Sequence, residues 1–71
     1  IRKNLNDTAI SLLRPLIAKQ PRNPLFHYHL GLALMQKGDR TAARQSLQTA
    51  LSLNPSKEDE QRIREALSRI G

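Results

Sequence analysis

PLFHYHLGLALMQKGDRTAARQSLQTALSLNP, residues 24–55, decides the fold. His27, Leu30, Gly31 and Leu34 recur at i, i+3, i+4 and i+7, and beyond Gly38-Asp39 the same period returns in Ala43, Leu47, Ala50 and Leu51. Two stripes of helical period parted by a two-residue break predict a helical hairpin, 24–37 and 40–53. Towards the C-terminus, Asn54-Pro55-Ser56 breaks the pattern before Ile63, Ala66, Leu67 and Ile70 restore it, predicting a helix over 57–70. Ser56 suits its N-cap, Glu58, Asp59 and Glu60 place carboxylates where the helix dipole favours them, and Arg69 with Gly71 suits its end. Towards the N-terminus, Pro21 and Pro24 bracket Arg22-Asn23 and close a helix over about 4–19, whose stripe holds Leu12, Leu13, Leu16 and Ile17. Pro15 lies inside it and lacks a backbone donor, which predicts a bend near Ser11 to Pro15. No stretch alternates with period two, so the class is all-α with four helices.

Seventy-one residues make one small domain or a piece of a larger one. Apolar residues are 38% of the chain, with Phe26 and Tyr28 the only aromatics of the Phe, Trp and Tyr set, so the expected core is thin and aliphatic. No cysteine is present to supply a disulfide or a thiolate metal site. The apolar runs are too short to span a bilayer, and no signal-peptide pattern opens the chain. The net charge is +6, but residues 1–57 hold nine basic and two acidic groups, while 58–71 hold three and four. A basic bias of that kind suits an acidic partner, whether nucleic acid, anionic lipid or an acidic protein face, and equally suits a solvated helical surface.

The chain also repeats. A shift of 34 residues lays Lys3-Asn4 on Lys37-Gly38, Ala9 on Ala43, Leu13 on Leu47, Leu16 on Ala50, Ile17 on Leu51 and Pro21 on Pro55. Asn4 opposite Gly38 implies a left-handed residue in both places, since Asn follows Gly in that preference. A period of this length describes a helical hairpin that buries its apolar stripe only by stacking on neighbours. One whole hairpin is present, with one helix before it and one after.

His27, Leu30-Gly31, Leu34, Ala43, Leu47, Ala50 and Pro55 together resemble the tetratricopeptide repeat. The resemblance implies a right-handed α-solenoid in a single domain, 1–71: residues 3–21 as the second helix of a preceding repeat, 24–55 as a complete repeat and 57–70 as a C-terminal capping helix. His27 stands where the family has Trp or Tyr, and Leu34 where it has Tyr. The stripe of the last helix fits only with an offset of 36, and Ala66-Leu67 reverses the large-then-small order of Leu30-Gly31. Arg62, Glu65 and Arg69 would face outwards on that cap. Ile1-Arg2-Lys3 reads as the end of an earlier helix, so the chain is expected to be the C-terminal end of a longer repeat protein.

Catalytic chemistry finds no support. His27 and His29 lie about 200° apart around a helix and cannot share a metal. The run Glu58-Asp59-Glu60 is explained by the helix dipole. Ser11, Ser46 and Ser52 lack the His and Asp that nucleophilic catalysis needs, and Gly31, Gly38 and Gly71 are too scattered for a phosphate loop. Neither an enzyme nor a cofactor is expected.

A second apolar row, Leu25, Tyr28, Leu32 and Met35, runs along helix 24–37 beside the first. By resemblance these positions line the concave surface of the stack, where a peptide or partner helix lies, with Lys57, Gln61 and Arg64 edging the groove. The other reading is that an upstream helix covers the row as core. Chaperone-binding members of the family carry Lys and Asn where Tyr28 and Leu32 stand, so that carboxylate clamp is missing. The functions expected are a protein-interaction scaffold, a non-specific nucleic-acid-binding module using the basic surface, or a repeat that self-associates. Leu30-Gly31-Leu32-Ala33-Leu34 with Gly38-Asp39 and Ala42-Ala43 also resembles repeats of bacterial envelope lipoproteins that support exopolysaccharide export and protein assembly. The compartment stays open between cytoplasm and bacterial envelope.

Overall fold

The computed structural model describes residues 3–70, and the side chains of residues 6–70. Four helices follow in order: α1 (Lys3–Lys19), α2 (Pro24–Lys37), α3 (Arg40–Ser52) and α4 (Lys57–Ile70). The readings of Ile1-Arg2 as the end of an earlier helix and of Gly71 as a cap lie outside the described residues. The described residues contain no strand and no helix long and apolar enough to cross a membrane.

The ends of the helices are fixed by local chemistry. Asn23 caps α2, its Oδ1 accepting from the Leu25 amide at 3.0 Å, and Pro24 takes the first helical position, where a missing N–H costs nothing. Gly38, at φ 97°, ends α2 in the left-handed region, with its own N–H and that of Asp39 donating to the carbonyls of Met35 and Leu34. Asp39 at once caps α3, its Oδ1 accepting from the Ala42 amide at 3.2 Å. Leu53 sits at φ −94°, ψ 17° and forms the C-cap of α3, one residue earlier than its period suggested. Asn54 follows at φ 57°, the one non-glycine with positive φ among the described residues. Ser56 caps α4, its Oγ accepting from the Asp59 amide at 3.2 Å.

At the other end, α1 runs unbroken across Pro15 and begins at Lys3, so Asn4 is helical rather than left-handed. Gly38 turns because two packed arms meet there. Among the described residues no arm precedes α1, and Asn4 keeps its helical backbone bonds instead.

Helix α2 is the centre of the molecule: it touches α1, α3 and α4, whereas α1 touches α2 alone among the described residues. That position explains why α2 is apolar around most of its circumference. Helices of 13 or 14 residues are marginal in isolation, so packing holds them. Ala43, Leu47, Ala50 and Ile63 are completely buried, joined by Leu30, Ala33, Leu34, Ala66, Ile70 and, from α1, Ile10. Full burial of Leu47 and of Ile63 contributes about 1.5–3 kcal/mol each.

Two residues expected in that core stand at its edge: Leu51 and Leu67 are half-buried. Each lies about 40° around its helix from a fully buried residue four positions earlier, Leu47 or Ile63, on the side away from the small Ala50 or Ala66. The close approach is made at the alanines, which turns the larger neighbour outwards. The α1 stripe also divides, with Leu13 and Ile17 half-buried but Leu12 and Leu16 exposed. The whole measures 35 × 30 × 18 Å.

Candidate functional site

The proposed groove begins with α2. Its row is not uniform: Leu25 is 39% exposed, while Tyr28, Leu32 and Met35 are half-buried and rest partly on the core. Gly31 allows that arrangement, because α2 can settle deeply onto α3. A Cβ at position 31 would stand 2.7 Å from Leu47 Cγ and 3.3 Å from the Ala43 carbonyl oxygen. The row is therefore pushed up beside the seam, with the bodies of its side chains covered and their edges open.

His29 belongs to this surface although sequence reasoning gave it no role. It is exposed, one turn beyond Leu25, and its ring centre lies 5.3 Å from that of Tyr28 at an angle of 48°. The i+4 spacing from Leu25 is the signal that would have found it. His27, expected only as a weak substitute for an aromatic, does something an aromatic hydrocarbon cannot. Its Nε2 is 2.8 Å from the Pro21 carbonyl oxygen, which only accepts, so Nε2 carries the proton and donates. That bond ties the loop at residues 20–23 to α2.

On α4, Lys57, Gln61 and Arg64 are exposed and follow one another at i, i+4 and i+7, on one side of the helix. Arg64 is held by Glu60, whose Oε2 accepts from Nε at 3.0 Å and from Nη2 at 2.8 Å. Lys57 has no ion pair among the described residues and is the available cation of the set. Gln61 lies with Glu58, Arg62 and Glu65 at an open surface hollow on α4 itself, with mixed charge and no side chain of the α2 row in its lining. The contact between α2 and α4 sets the two parts of the candidate groove on neighbouring helices. Among the described residues no group of three His, Cys, Asp or Glu stands where it could hold a metal ion.

Several cations elsewhere are exposed and unpaired among the described residues, including Arg14, Arg22, Arg40 and Arg44. Lys37 instead bridges to Asp7 at 2.8 Å, fastening the C-terminal end of α2 to the start of α1.

No curated protein and no solved structure matches the chain. The family model described as Tetratricopeptide repeat matches residues 24–57. That span holds α2, the Gly38-Asp39 turn, α3 and the entry to α4, the hairpin in which Gly31 admits Leu47. Through this repeat the chain belongs to the tetratricopeptide-repeat family.

Proposed function

We propose that the chain is a non-catalytic protein-interaction scaffold that holds an extended peptide or a partner helix along Leu25, Tyr28, Leu32 and Met35, with Lys57, Gln61 and Arg64 at the edge. Tetratricopeptide repeats generally mediate protein–protein interactions, which sets the class of function. The observation that carries the particular surface is the state of α2. Three helices pack against it, yet Leu25 stays 39% exposed and the rest of the row is only half-covered. A partner that covers those edges gains apolar burial at about 25 cal/mol per Å². The net charge of +6 and the unpaired Lys57 favour a partner with acidic residues beside its apolar ones.

The test is selection of peptides from a displayed library against the 71-residue chain, followed by titration of the winners. Leu25→Ala is expected to weaken the selected peptides about tenfold while moving stability by no more than about 0.5 kcal/mol, as suits an exposed side chain. Tyr28→Ala should weaken them as much but also lower the unfolding midpoint. Peptides indifferent to both substitutions would remove this surface from consideration.

A further inference from the structure

A larger uncovered apolar surface lies on α1, on a face the α2 row does not include. Leu12 is 65% exposed and Leu16 43%, and one turn apart they form a line along the helix. The 34-residue register shows what seats on such a line. Leu13 corresponds to Leu47 and Leu16 to Ala50, both completely buried in α3, where Leu47 lies against Gly31 of α2. Since α1 touches only α2 among the described residues, the burial of Ile10 is its contact with α2, and the line through Leu12 and Leu16 has no helix over it.

We propose that this face of α1 is the seat of a partner helix of α2's kind, apolar and antiparallel to α1, with a glycine or alanine opposite Leu13. Charge adds a requirement. Lys19 stands three residues past Leu16 and seven past Leu12, exposed and without an ion pair among the described residues. An antiparallel occupant brings its first turn to that end, where a carboxylate meets both Lys19 and the positive end of its own helix. A second copy of this chain does not fit. Its α2 is already enclosed by three helices, its net charge is +6, and an α1 paired with α1 offers no acidic first turn to Lys19.

The experiment uses a fluorescent synthetic peptide of residues 24–37 with two glutamates added in its first turn, titrated into the 71-residue chain and followed by anisotropy. Saturable one-to-one binding is expected, weakened about tenfold or more by Leu12→Ser with Leu16→Ser in the chain. The same loss is expected for Gly31→Leu in the peptide, a change that leaves the chain untouched and so does not depend on how the doubly substituted chain folds. Replacing the two glutamates by lysines should weaken binding several-fold at low salt and less at high salt. Absence of saturable binding would overturn the proposal, as would binding indifferent to Leu12, Leu16 and the peptide glycine. A chain that dimerises through Leu12 and Leu16 and excludes the peptide would overturn it too, in favour of a second copy.

Discussion

At Gly31 two opposed free-energy changes meet. Alanine in a helix interior is favoured over glycine by about 1 kcal/mol. Its methyl group would sit 2.7 Å from Leu47 Cγ and 2.8 Å from Cδ2, and Leu47 is completely buried with nowhere open to move. Overpacking of that kind costs about 1–3 kcal/mol, so Gly31→Ala is expected to destabilise by up to about 2 kcal/mol net, read as a lower urea midpoint at constant slope. Leu47→Ala removes the other side of the same contact and should cost about 2–5 kcal/mol. Leu12→Ala, at an exposed site, should change the midpoint by no more than about 0.5 kcal/mol. The sequence announced the role of Gly31 because a small residue inside an apolar stripe has few uses other than close approach. It could not announce that of His27, whose Pro21 partner is six residues away across a loop. His27→Phe keeps the ring and removes the bond, with an expected cost of about 0.5–1.5 kcal/mol.

On the scale of single helices, boundaries followed from punctuation wherever two packed arms meet. The αL Gly38, the Asp39 cap, the Asn23-Pro24 entry and the Ser56 cap all stand where residue type places them. Sequence reasoning failed at Asn4 and at Leu51 and Leu67, and the reasons differ. Asn4 was read from its repeat counterpart, but a left-handed turn needs the second arm as well as a willing residue. Leu51 and Leu67 were read from period alone. A period fixes which residues share a side of a helix and leaves the axis of closest approach free, and Ala50 and Ala66 drew that axis towards themselves. α4 offers a direct check of local control. Ser56→Ala should cost about 1 kcal/mol by losing the bond to the Asp59 amide, with the loss concentrated in amide exchange at Asp59 and Glu60. The Arg64–Glu60 pair, exposed and within one helix, should contribute only about 0.3–0.5 kcal/mol, so Glu60→Gln should leave the midpoint almost unchanged.

For the molecule as a whole, the placement of α2 between three helices is what joins fold to function. The sequence showed that α2 carries more apolar surface than one partner needs. It could not apportion that surface, because the share each neighbour covers depends on how the axes pack and on how deeply Gly31 lets α2 sink. The structure divides it into a covered seam, a half-covered row and an open edge at Leu25 and His29. The positive charge is a separate property of the surface. Binding to an oligonucleotide at low salt is expected to fall steeply as salt rises and to show no preference among sequences, since phosphate contacts alone would supply it. The most direct test of the scaffold assignment is a chemical-shift map of the labelled chain titrated with a peptide selected against it. The account predicts that perturbations gather at Leu25, Tyr28, Leu32 and Met35 on α2 and at Lys57, Gln61 and Arg64 on α4. Perturbations confined to the Arg40 and Arg44 side of α3, with the α2 row unmoved, would contradict it.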